Sequence, residues 1–200
     1  MRYITRLPIA VIVFILILFL TKKRRFGNKK YALIAIGATV SMLIAYFLSC
    51  IPFENYILTF ETPVKVFNYE YIGARDAKVV AEGGQSALVV GKTGSTKVMI
   101  VPKENGKWIL GDFQKTKIIG KAGDGYTLMV LNYSGTDDYY INISGASDLP
   151  LTVSDSIGTV FNKLIHSSGL FFDYYACIIN PDSDYKLSIG DDIISIGTGS

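Results

Sequence analysis

Six cations crowd the nine residues from Lys22 to Lys30, and an apolar run lies on either side of them. Residues 3–20, YITRLPIAVIVFILILFL, are apolar without interruption from Leu7. Eighteen helical residues rise about 27 Å, close to the roughly 30 Å hydrocarbon thickness of a bilayer. Arg2 and Arg6 can snorkel to the interface, and Pro8 is tolerable in a first turn. A cleavable signal peptide fits poorly, because no small-x-small site follows Leu20 and a cationic cluster does. Residues 31–53 carry no charge. The expectation is therefore a two-helix transmembrane hairpin with spans at 3–20 and 31–53. The basic loop 21–30 (Lys22, Lys23, Arg24, Arg25, Lys29 and Lys30) is held in the cytoplasm by the positive-inside rule. The remaining chain is then extracytoplasmic at the plasma membrane. Gly37, Ala38 and Ser41 offer small residues for close packing of the two helices.

Charge divides the rest. No Asp or Glu precedes Glu54, and beyond Lys30 there are 12 basic and 17 acidic residues, a net of −5. Residues 54–121 hold ten basic and seven acidic residues (net +3), whereas 122–200 hold two and ten (net −8). The basic pI invites a nucleic-acid reading, but the excess cations flank apolar runs, so no nucleic acid is expected. Gly120 to Gly125, with three glycines in six residues, marks the joint between a first piece (54–121) and a second, all-β acidic piece (122–200).

Local signals place elements in both pieces. Thr62-Pro63 supplies an N-cap and a first-turn proline. Val64, Phe67 and Tyr71 follow at helical spacing, and Gly73 sits where a C-terminal cap belongs. Strands are expected at 77–81, 87–90, 97–101, 107–110 and 116–119, with Asn105-Gly106 as a hairpin turn. In the acidic piece they are expected at 126–131, 138–143, 159–164, 171–179 and 185–189, in sandwich-like spacing. The segments 131–145 and 179–190 resemble one another, as a weak duplication or two ordinary hairpins would.

The chemical motifs weigh little. Ser86–Thr93 (SALVVGKT) superficially resembles a phosphate loop, but its first position is Ser86 and ALVV is a β run. His166 is the sole histidine, which rules out multi-histidine metal sites, and no nucleophile elbow accompanies it. Asp182, Asp184, Asp191 and Asp192 are candidate calcium ligands, yet they lack the glycine and distal glutamate of a helix–loop–helix site. Cys50 and Cys177 read as free buried thiols, and Phe47-Leu48-Ser49-Cys50 departs from a lipobox at two positions. Asn132 and Asn142 stand in glycosylation sequons that matter only in a eukaryotic secretory pathway. Tyr139-Tyr140 and Tyr174-Tyr175 suit interfaces or sugar platforms, though in strands they are ordinarily half-buried. No cofactor is expected.

The runs Ile51-Pro52-Phe53-Glu54-Asn55, Leu58-Thr59-Phe60-Glu61-Thr62-Pro63, Phe67-Asn68-Tyr69, Ser86–Val90 and Ile100-Val101-Pro102-Lys103 resemble small uncharacterised membrane proteins of Gram-positive bacteria. In those, one or two N-terminal helices precede an extracytoplasmic α+β domain. The resemblance covers Ile51 to Leu110, implies a compartment, and assigns no activity. The combined expectation is a membrane-anchored, mainly antiparallel β (α+β) protein without a catalytic constellation. It would serve as an interaction module for another membrane or envelope protein, with the lipid bilayer as a further partner. The alternative is an envelope binder or sensor of cell-wall glycan or a divalent cation. An enzyme with an acidic site needs two carboxylates about 5–10 Å apart in a cleft, which a sequence does not display.

Overall fold

The computed structural model describes residues 11–19, 29–50, 52–112, 115–146, 151–165 and 171–196. The chain forms two units, Met1–Leu58 and Thr59–Ser200. In the first unit, helix α1 covers residues 11–19 and helix α2 covers Lys29–Cys50, after which Pro52 leads into a 3-10 turn at Phe53–Tyr56. Gly37 takes Ile17 against it, and a Cβ built there would lie 2.5 Å from the Ile17 Cγ2. Thr39 and Ser41 donate their hydroxyls back to the carbonyls of Ala35 and Gly37.

The transmembrane hairpin is corrected by this unit. Among the described residues no helix is long and apolar enough to cross a membrane. The second helix draws Lys29 and Lys30 into its first turn and carries Gly37, Thr39 and Ser41 along its middle. The apolar count along the sequence had absorbed those interruptions. The membrane anchor, the plasma-membrane location and the extracytoplasmic side all rested on the hairpin and are withdrawn with it. Lys22, Lys23, Arg24 and Arg25 lie outside the described residues.

The second unit begins with α3, Pro63–Glu70. Its Thr62 cap accepts from the Lys65 amide at 3.3 Å, and Pro63 fills the first turn, where no amide donor is needed. Strands β1 (Arg75–Glu82), β2 (Ser86–Thr93), β3 (Ser95–Glu104) and β4 (Lys107–Trp108) form a four-stranded sheet, here sheet I, in chain order. Asn105 and Gly106 turn from β3 to β4 with φ of 50° and 76°, as an Asn-Gly hairpin requires. Sheet II contains β5 (Thr116–Ala122), β6 (Tyr126–Tyr133), β7 (Asp138–Ala146), β10 (Phe171–Ile179) and β9 (Asn162–Ile165), in that spatial order. Sheet III is β12 (Asp192–Ser195), β11 (Lys186–Ile189) and β8 (Val153–Asp155). The register pairs are all antiparallel.

Three cores bind four layers. Val66 and Phe67 of α3 meet Ala87, Val89, Met99 and Val101 on one face of sheet I. Its other face sends Leu88, Val90 and Ile100 against Leu131, Tyr133, Tyr140 and Tyr175 of sheet II. The far face of sheet II then packs Leu128, Val130, Ile141 and Ile143 on Leu187, Ile189 and Ile194 of sheet III. Strands β2 and β7 are thus covered on both faces, which is why ALVV and YYINI read as continuous apolar runs rather than alternations. β5 comes from the basic stretch and β6, β7 and β10 from the acidic one, yet they share one sheet. The segment 179–190 is no hairpin, because β10 and β11 belong to different sheets.

Candidate functional site

Several buried polar side chains of the second unit hold its layers together. Asp138, 1% exposed at the start of β7, accepts from the Gly84 amide at 2.9 Å, the Gln85 amide at 2.9 Å and the Ser86 hydroxyl at 2.7 Å. It thereby fixes the β1–β2 turn of sheet I to sheet II. Gly83 must lack a side chain here, since a Cβ would fall on the Asp138 carboxylate. Ser86 Oγ also meets the Tyr140 hydroxyl at 2.8 Å. Burial pushes the Tyr140 phenol well above its ordinary value. Burial, with the Asp138 charge beside it, raises the Cys177 thiol to about 12. Cys177 is a free thiol held protonated, the opposite of a nucleophile. Ser86 is likewise sealed, at 0% exposure. This cluster joins the two sheets, with Ser86, Asp138 and Tyr140 buried at its centre.

Of the acidic candidates, Asp192 is engaged across elements. Asp192 accepts from the Tyr126 hydroxyl at 2.7 Å, and Asp182 accepts from the Asp184 amide at 3.2 Å in a turn. Asp191 is exposed beside Asp192. Asp155, absent from the sequence candidates, accepts from the amides of Ile157 (3.2 Å) and Thr159 (2.8 Å) and from the Tyr185 hydroxyl (3.0 Å). Burial alone would raise its carboxyl; the hydrogen bonds outweigh that and hold it below the usual range. Among the described residues no group of three His, Cys, Asp or Glu is placed to hold a metal ion. His166 and its serines lie outside the described residues. Cys50 closes α2, and nothing of its side chain is described; Lys29 and Lys30 are placed only as backbone of α2. Ser86–Thr93, the phosphate-loop lookalike, is strand β2 throughout.

One element is held without being covered. The inner edge of β5 pairs with β6 through seven residue pairs, from Thr116↔Tyr133 to Ala122↔Thr127. Its ends are pinned. The Ser134 amide donates to the Lys115 carbonyl at 2.7 Å, and the Gly123 amide donates to the Tyr126 carbonyl at 3.0 Å. The Tyr126 ring lies over Gly123, in space a Cβ would occupy, and its hydroxyl is tied to Asp192. The outer edge of β5 has no neighbouring strand among the described residues. Ile118 and Ile119 are 61% and 62% exposed.

Alternation gives this strand two different sides. Ile118 is opposite Leu131, whose side chain belongs to the core with sheet I, whereas Ile119 is opposite Val130, which faces sheet III. Thr116, Ile118, Gly120 and Ala122 therefore share the sheet I side, where Ile118, Val98, Ile100 and Leu131 line a groove of about 140 Å³. Lys117, Ile119 and Lys121 share the other side. Three exposed lysines, Lys115, Lys117 and Lys121, charge the strand, and no carboxylate lies within it. An open ladder edge with apolar side chains on both faces is a template for another strand.

The sequence places a strand at 116–119 but gives no hint that it is uncovered, since Ile-Ile in a strand ordinarily signals core. The bracketing lysines are the signal that was available, because lysine is the residue with which proteins guard free edges. No protein-family model, curated protein or solved structure matches the chain.

Proposed function

We propose that the protein is a binding module, not an enzyme, and that it captures an extended segment of a partner protein by strand addition to β5. The observation that carries this reading is the outer edge of β5, unpaired among the described residues, with Ile118 and Ile119 exposed on opposite faces. Strand addition takes its affinity from main-chain hydrogen bonds and its selectivity from alternate side chains. On the side of Lys117, Ile119 and Lys121, the matching segment is acidic–apolar–acidic at every second position. On the groove side it is apolar or small.

The test is titration with synthetic extended peptides that alternate acidic and apolar residues, alongside lysine-substituted counterparts. The acidic peptides are expected to bind, to slow amide hydrogen exchange selectively in residues 116–122, and to lose affinity about tenfold or more in the Lys117→Glu/Lys121→Glu variant, on the scale of close interfacial charge pairs. Binding that leaves β5 exchange unchanged, or that ignores the charge reversal, would overturn the proposal.

A further inference from the structure

Resting on the strand-addition reading, we infer that the segment received by β5 is β12 of a second copy of this chain, so that the protein associates head to tail. β12 lies at the edge of sheet III and its outer side has no strand neighbour among the described residues. Together with the residue before it, it reads Asp191-Asp192-Ile193-Ile194-Ser195: two carboxylates, no cation, and an isoleucine that is 71% exposed. Ile194 points into the core and Asp192 is held by Tyr126, so Asp191, Ile193 and Ser195 form the outward row.

An antiparallel seam with Ile119 opposite Ile193 of the second copy sets Lys121 opposite Asp191 and Lys117 opposite Ser195. It also sets Gly120, which has open space over it, opposite Asp192. Both isoleucines leave water, Lys121 faces Asp191 across the seam, and Lys117 meets the polar Ser195 in place of a second carboxylate. Within one copy this pairing is closed off: Ile194 packs across the face of sheet II, so β12 is stacked on that sheet and not laid beside its edge. A symmetric β5–β5 seam is disfavoured, because it gathers Lys115, Lys117 and Lys121 from both copies without a carboxylate between them. The charge division of the sequence, +3 over 54–121 and −8 over 122–200, favours the same head-to-tail sense. Two unlike surfaces on one chain leave each end of the assembly open, so it grows beyond a dimer.

The experiment is light scattering on the full chain across a concentration series, with two variants whose substitutions all fall on exposed residues. The wild type is expected to grow past dimer mass with concentration and to shrink in high salt. Lys117→Glu/Lys121→Glu blocks β5 and Asp191→Lys/Ile193→Lys blocks β12; each is expected to stay monomeric alone. Their mixture is expected to associate, since each supplies the surface the other lacks. As a check independent of charge, Ile119→Cys and Ile193→Cys chains, both in a Cys50→Ser background, are expected to form a mixed disulfide with added oxidised glutathione as electron acceptor. A monomeric wild type would overturn the inference, and binding of the acidic peptides to β5 would then show that strand addition stands with a different partner. The β12-blocked variant self-associating alone would point to the β5–β5 seam and overturn it as well. Both variants keep residues 1–58, so association surviving in both would place the contact in the first unit and would also overturn it.

Discussion

β7 and β5 belong to one sheet, are nine and seven residues long, and meet water in opposite ways. Sheet I covers one face of β7 and sheet III the other, with a strand on each edge, so Tyr140, Ile141 and Ile143 are fully buried. β5 is two strands away, has one neighbour, and nearly all its residues are exposed. Ile141 and Ile119 are the same residue type in the same kind of strand, and only the layers above and below separate them. β5 is paired along one edge and largely exposed on both faces.

The largest test of that contrast is a pair of truncations. Ile141→Ala is expected to cost about 4 kcal/mol of unfolding free energy, as for a buried aliphatic with no room to collapse. Ile119→Ala is expected to cost no more than about 0.5 kcal/mol, as for an exposed side chain. Urea unfolding measures both, and equal costs would mean that β5 is covered in solution. The next effect is that of Asp138→Ala, expected at about 2 kcal/mol. It leaves the buried Ser86–Tyr140 hydroxyl pair one acceptor short, whereas Gly84 and Gln85, whose amides also lose their acceptor, are exposed residues. Hydrogen exchange should then speed up in residues 83–86 while β5 stays as it was. A change confined to β5 would place the latch elsewhere.

The smallest effect is one of pH. Burial raises the phenols of Tyr140, Tyr175 and Tyr185, and raises Tyr126 to about 12, from an ordinary value of 10.0. A group whose folded value is raised contributes stability that is complete below its unfolded value and is lost as pH climbs through the folded one. The tyrosine contribution should therefore be complete below pH 10 and fall from there toward pH 12, with the Cys177 thiol, raised from 9.0 to about 12, starting the decline about one pH unit earlier. These four tyrosines should ionise late, in step with unfolding. Spectrophotometric titration beside circular dichroism checks it, and early ionisation of all tyrosines in a folded chain would show the interior to be wetter than the structure has it.

Local chemistry made part of this fold legible. Thr62-Pro63 started α3 and Asn105-Gly106 turned β3 into β4, because caps and left-handed turns are decided by neighbouring residues. β8 and β12 went unseen: they are three and four residues long, and their pairing with β11 is what makes them strands. The apolar count at 3–20 and 31–53 misled: among the described residues no helix is long and apolar enough to cross a membrane. Nothing along the chain announces that Asp192 meets Tyr126, a partner 66 residues away.

By itself, then, the sequence determined the β character of the second unit, its turns and the division of charge between 54–121 and 122–200, all of which follow from neighbours along the chain. Only the tertiary structure decided which apolar strand is core and which is surface. Ile118-Ile119 and Ile141 are the same residue type in strands, and the bracketing lysines are all that sets them apart along the chain. The difference is whether distant strands lie above, below and beside them, and that is fixed by the order β5-β6-β7-β10-β9 and by the layers that stop short of its first member.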